Sequence, residues 1–201
     1  IRHDYAAWFG DDRRAIAHAR QNYFCAYTPG DEFRALKARL DAFKGGDLVM
    51  TAPPPPYRCQ LAVYERALVI GHLFKTRAVP GRLTLLDPNP PPQRFADVFE
   101  EQYKEQIAVM PHARVKSVDP FAKTVVTEFD DIRFDEALLM PPQQAGDLAW
   151  QAGLIGQDAA GKPSGWAAQE PLHLHAVGDE RVFLVGDLID RASPLFGHYP
   201  K

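Results

Sequence analysis

Cysteine is scarce in this chain: Cys25 and Cys59 are the only two in 201 residues. So few thiols build no disulfide framework and offer no paired metal spacing, which excludes a small disulfide-stapled scaffold and a zinc module. Positive charge is not in excess either. The formal net charge is −3 with 24% charged residues, and no basic run gathers into a patch, so nucleic acid is excluded as an expected partner. Long apolar runs are missing as well. A bilayer span takes about 20 apolar residues, and the longest candidate, residues 61–74, is interrupted by Glu65, Arg66 and His72. The sequence opens at Ile1 with neither a methionine nor a signal-like segment, and both ends read as cut from something longer.

What is present is an alternation of helical and strand patterns. Residues 31–44 (DEFRALKARLDAFK) space Phe33, Leu36, Leu40 and Phe43 by threes and fours. Asp31 stands as N-cap and Gly45-Gly46 as the stop, which predicts an amphipathic helix. DLVMTA (47–52) is a short apolar run, as a buried parallel strand is. Residues 61–75 predict a long helix with Leu61, Tyr64, Leu68 and His72 along one side, and RLTLLD (82–87) the next buried strand. Strand, helix and strand in that space make a βαβ unit. A helix over 93–106 and a strand over 107–111 follow, then antiparallel strands over 114–119 and 124–129, and an apolar strand over 132–140. After Pro142 the pattern weakens to a short helix near 148–152 and a strand over 182–185 that ends in Gly186-Asp187. The predicted fold class is α/β: a Rossmann-like parallel sheet with helices on both faces and a small antiparallel insertion. Residues 1–45 read as a flank and linking helix, 46–141 as a NAD-binding-like domain, and 142–201 as a return segment toward another domain.

The site candidates begin with the loop after the first strand. A Rossmann domain that holds a dinucleotide carries GxGxxG there, whereas this chain has APPPPYRC (52–59). Glycines let the backbone approach a pyrophosphate, and prolines remove the N–H donors that the phosphate needs, so no NAD is expected to bind. Cys59 ends this loop, just before or inside the first turn of the next helix and beside Arg58. A helix N-terminus and a neighbouring cation both favour a thiolate, which a sulfur nucleophile requires. Glu65 follows six residues later, as a proton shuttle or as a solvated side chain. His173 and His175 in HLH are expected to share one face of a strand; two ligands without a third argue against a metal site.

Read together, APPPPYRC (52–59), VYERA (63–67), LLDPN (85–89), MPPQQAG (140–146), AGL (152–154), the Gly165-Trp166 pair, VGD (185–187) and PLFGHYPK (194–201) occur in an order that resembles the flavoprotein subunit of flavocytochrome c sulfide dehydrogenase. More distantly it is similar to sulfide:quinone oxidoreductase. The resemblance implies a piece of a flavoprotein with two dinucleotide-binding domains, containing the inserted NAD-like domain and the last FAD-domain segments. It implies FAD as cofactor, with an incomplete site here to which Pro141, Pro142, Gln143, Gly186 and Asp187 contribute. It further implies a small sulfur substrate, a c-type cytochrome partner subunit and a periplasmic location. Cys59 matches the first of two redox-active cysteines and Glu65 an acid-base partner. Where the second cysteine is expected, after Trp166, this chain has Ala167. Cys59 is therefore expected as a free thiol. The implied activity is flavin-dependent oxidation of sulfide or a related reduced sulfur species by the full-length protein. A quinone-reducing enzyme and a non-catalytic docking domain are the alternatives.

Overall fold

The computed structural model describes residues 1–25, 27 and 30–189, and they form two compact units. The larger takes Tyr5–Pro54 and Leu61–Pro141; the smaller takes Ile1–Asp4, Pro55–Gln60 and the chain from Pro142 onward. The PLFGHYPK segment lies outside the described residues.

Strand β1 (Arg2–His3) belongs to the smaller unit. The larger unit opens with α1 (Ala6–Phe9) and α2 (Arg13–Asn22). Asp12 starts α2 because its carboxylate accepts from the N–H groups of Arg14 and Ala15, both at 2.9 Å, two donors that the first turn leaves without helical partners. The sequence marks this stretch as a flank, yet Tyr5, Trp8, Phe9, Ala15, Ala19 and Tyr23 share a buried core with Val49, Leu86, Val125 and Phe134. A four-residue helix such as α1 is too short to show a period, which is why its inner face escapes the sequence. Next comes α3 (Asp31–Ala42), capped by Gly30 rather than Asp31, with Leu36 as its buried anchor.

The βαβ unit is β2 (Gly46–Thr51), α4 (Ala62–Thr76) and β3 (Gly81–Asp87). β2 and β3 pair in parallel without a break from Gly46↔Gly81 to Thr51↔Leu86. After α5 (Gln93–Gln102), β4 (Ile107–Pro111) pairs parallel to β3. The insertion β5 (Val115–Asp119), β6 (Thr124–Thr127) and β7 (Asp131–Arg133) is antiparallel throughout, and β8 (Glu136–Leu138) returns parallel to β2. The sheet order is β4-β3-β2-β8. The single strand expected over 132–140 is thus two. Asp135 divides them: its N–H donates to Asp47 O at 2.8 Å and its carboxylate accepts from Asp47 N at 2.9 Å, which transfers the chain from the insertion to the main sheet.

Of the row Leu61, Tyr64, Leu68 and His72 along one side of α4, only Tyr64 is buried. Val63, Tyr64, Ala67, Ile70, Gly71 and Phe74 are buried, while His72 is exposed. Helix and sheet approach closely at Gly71, where a Cβ would stand 2.6 Å from Ile107 Cδ1. The approach turns the helix onto its 63/67/70/74 side, and burial of each large side chain there contributes about 1.5–3 kcal/mol.

In the smaller unit β9 (Gln143–Gln144) pairs antiparallel with β1. Then follow α6 (Asp147–Gln151), the pair β10 (Ile155–Gln157) and β11 (Pro163–Ala167), and the pair β12 (His175–Ala176) and β13 (Asp179–Phe183). The last strand ends at Phe183 instead of Val185. Ala145, Ala149, Trp166, Ala167, Ala176 and Leu184 form the core of this unit.

Candidate functional site

The site in the smaller unit is organised by Arg58. This residue is buried, yet its side chain reaches three partners on the turn after β13 and one ring. Its Nε donates to Asp187 O at 3.0 Å and lies 3.4 Å from the Asp187 carboxylate, its Nη2 donates to Ile189 O, and its guanidinium carbon sits 4.5 Å over the Trp166 ring. A planar guanidinium can do all of this at once, forking onto oxygens at its edge and stacking by its face. The backbone N–H of Arg58 donates to Gln143 Oε1 at 2.7 Å, tying the loop to β9. The other end of that amide, Gln143 Nε2, is buried with no hydrogen-bond partner among the described residues.

Of the predicted residues, Gln143 and Asp187 are therefore brought together through Arg58, and Gly186 precedes Asp187 in the chain. Pro142 accepts from Asp4 N at 2.7 Å in the same unit, whereas Pro141 is buried in the larger one. Cys59 is exposed and adopts φ +54°, three residues ahead of the first residue of α4. The cation that sequence adjacency assigns to this thiol is occupied elsewhere, on Asp187, Ile189 and Trp166. Glu65 is exposed in the first turn of α4, in the other unit. Ala167, at the position of the expected second cysteine, is fully buried and its N–H donates to Leu188 O at 2.8 Å. His173 lies in a turn, not in a strand with His175. The sequence reading misses Arg58 as an organiser, because its partners stand 129 and 131 positions away.

A second arrangement sits in the larger unit at the end of β3. Asp87 is fully buried, and its carboxylate accepts from Tyr64 Oη at 2.6 Å and from Asn89 N at 2.8 Å. Burial pushes the Asp87 carboxyl above its ordinary value, opposed by the Tyr64 and Asn89 hydrogen bonds. The end of the second strand is where a dinucleotide-binding domain presents an acidic side chain to a ribose. Here that acid is turned inward and already paired.

A family model for the central part of the flavoprotein chain of sulfide dehydrogenase (flavocytochrome c) matches residues 33–141. The chain belongs to this family. The match begins in α3, runs through the parallel sheet and ends at Pro141, just after β8. Among solved structures, the chain is similar to a component of the Tetrahymena thermophila mitochondrial ATP synthase (15% identity, TM-score 0.58, 94% of this chain and 48% of that one). It is similar to the water-forming NADH oxidase from Lactobacillus brevis bound to NADH (17%, TM-score 0.53, 94% and 37%). A third is a pyridine nucleotide-disulfide family oxidoreductase from Enterococcus faecalis (13%, TM-score 0.51, 73% and 33%). At these identities the likeness is one of fold, and the chain spans less than half the length of each.

Membership in a flavoprotein family implies FAD, and the turn after β13 fits part of it. Gly186 adopts φ +80° with no atom within 4 Å of where a Cβ would stand. The Asp187 side chain is 72% exposed, with a carboxylate able to accept from ligand hydroxyls while Arg58 fixes its backbone.

Proposed function

We propose that the full-length protein is an FAD-dependent oxidoreductase that oxidises sulfide, or a related reduced sulfur species, and passes electrons to a c-type cytochrome subunit in the periplasm. The observation that carries this reading is an exposed thiol, Cys59, on a proline loop that stands where a phosphate-binding glycine loop would be, in a chain of the sulfide dehydrogenase flavoprotein family. Sulfide oxidation to the zero-valent level releases two electrons and a haem takes one at a time, so bound flavin would supply the two-to-one conversion.

The residues of this chain have separate parts. Asp187, whose backbone Arg58 holds, and Gly186 beside it would hold one side of the cofactor; Gln143 braces the loop that carries Cys59. With the flavin bound as two-electron acceptor, Cys59 and sulfide would join in one S–S bond, the two electrons passing to the flavin and the sulfur-bound protons leaving, so that sulfur is carried as a persulfide without a second cysteine. Cys59 is exposed, so a proton lost there can pass to solvent. The domain of residues 46–141 serves as scaffold and binds no NAD, because its loop lacks donors and Asp87 is paired internally.

A non-catalytic docking role is the second reading, favoured by Ala167: a fully buried alanine stands where a resolving cysteine is expected. Anaerobic titration of the flavin-loaded full-length protein with sulfide separates the two. Bleaching of the flavin absorbance, followed by reduction of added cytochrome c and lost in Cys59→Ser, is the expected result. A flavin that stays oxidised in excess sulfide overturns the enzymatic reading.

A further inference from the structure

The HLH segment offers two imidazoles by sequence; the fold adds a third ligand. Glu170, His173 and His175 place one ligand atom each within 4.8 Å of one another. Three features hold them in that arrangement. Leu174, between the two histidines, adopts φ +63°, and the His173 and His175 rings lie stacked, 5.7 Å apart and within 7° of parallel. The loop is closed at its base, where Glu170 N donates to His175 O at 2.8 Å and Leu174 N to Glu170 O at 3.0 Å. It is also fastened to the neighbouring strand, since Leu184 N donates to Leu174 O at 2.8 Å and His175 pairs with Phe183.

The hydrogen bonds also set the chemistry of the ligands. A carbonyl oxygen only accepts, so the 3.0 Å contact between His175 Nδ1 and Ala176 O requires the proton on Nδ1. The lone pair then stands on Nε2. Contacts of this kind orient imidazoles toward a metal and raise their basicity. Glu170 Oε2 accepts from Leu172 N and His173 N, both at 2.8 Å, and faces His173 Nδ1 at 3.1 Å. The carboxylate is thereby fixed in direction, and its second oxygen adds further acceptor capacity.

We propose that Glu170, His173 and His175 form a binding site for a late first-row divalent cation, of which Zn²⁺ is the probe. Two imidazoles with one carboxylate suit Zn²⁺, Cu²⁺ or Ni²⁺ and not the oxygen-seeking Mg²⁺ or Ca²⁺. Metal–ligand bonds of about 2.0–2.2 Å put tetrahedral ligands about 3.4 Å apart. Closing the three atoms to that spacing takes side-chain rotation, with His173 exposed and Glu170 and His175 half-buried. The fourth position is left to water. The bound ion would tie the loop before β12 to the hairpin and rigidify this part of the smaller unit.

Isothermal titration of the chain with Zn²⁺ tests the site, with His173→Ala, His175→Ala and Glu170→Gln as variants and thermal melts to verify that each is folded. The expected result is one saturable equivalent, weakened by at least about tenfold in either histidine variant and unaffected by a hundredfold excess of Mg²⁺. His173 is exposed, so its variant reports on binding even if the His175 variant is poorly folded. Absence of saturable binding up to millimolar Zn²⁺, an affinity unchanged in folded His173→Ala, or displacement by Mg²⁺ would each overturn the proposal.

Discussion

The Tyr64 hydroxyl donates a 2.6 Å hydrogen bond to Oδ2 of Asp87, joining α4 to the end of β3 beneath the surface. Because Asp87 is fully buried, removing the hydroxyl leaves its carboxylate short of a donor. Tyr64→Phe is expected to cost about 1.5–3 kcal/mol at pH 7. Burial already places the native Asp87 carboxyl above its ordinary 3.8, so its contribution to stability is greatest below that value and declines as pH rises through the folded value. Tyr64→Phe raises the folded value further, so the deficit should shrink as pH is lowered through the folded value, below which protonated Asp87 no longer needs a charge-stabilising donor. Urea unfolding of both proteins at pH 7 and pH 4.5 checks this; an equal deficit at both would show that the bond acts on packing alone.

The same pair bears on cofactor choice. A ribose could reach the Asp87 carboxylate only after displacing Tyr64, and residues 53–56 are four prolines with no N–H to give a phosphate. NADH and NADPH are expected to show no saturable binding to this chain in calorimetric titrations up to millimolar concentration. Stoichiometric binding that is lost in Asp87→Asn would refute the internal pairing as an obstacle.

The sheet was legible because fully buried parallel strands are apolar runs: residues 47–52, 82–87 and 107–111 all read as strands and all pair in parallel. The family, too, was legible, in the proline loop and the motifs that follow it. Less legible were the features set by distant partners. The buried face of α4 depends on Gly71 meeting Ile107, the break in the last sheet segment depends on Asp135 meeting Asp47, and the site depends on Arg58 meeting Asp187, 129 positions later. None of these pairings leaves a periodic trace in the local sequence. Glu170 is the intermediate case: its spacing to His173 and His175 is visible, but only the left-handed Leu174 brings the rings together.

Arg58 offers a test confined to the smaller unit. Lysine keeps the charge but cannot fork onto Asp187 O and Ile189 O while stacking on Trp166. Arg58→Lys is expected to cost about 1–3 kcal/mol and to speed hydrogen exchange at the amides of Ala167 and its neighbours, since the Ala167 N–H donates to Leu188 O on the turn that Arg58 holds. Exchange at β2 and β3 should be unchanged. Uniform acceleration across both units would mean that Arg58 acts on global stability instead of on this turn.

Cys59 and Cys25 should behave as opposites toward a thiol reagent. Cys25 is 3% exposed and its Sγ lies 3.4 Å from Glu32 Oε1, so modification waits for unfolding; Cys59 is exposed and reacts in the native state. One thiol is expected to react rapidly with an aromatic disulfide reagent in buffer and two in denaturant, with the rapid phase absent from Cys59→Ser and intact in Cys25→Ser. The backbone adds a second readout. At φ +54° a side chain meets the steric cost of the left-handed region, which glycine escapes and which amounts to about 1–2 kcal/mol. Cys59→Gly should therefore be more stable than Cys59→Ser by about 1 kcal/mol, less the greater entropy that glycine gains on unfolding. If the two variants unfold at the same denaturant concentration, or if both cysteines react together only on unfolding, Cys59 is an ordinary loop residue and the persulfide chemistry loses its carrier.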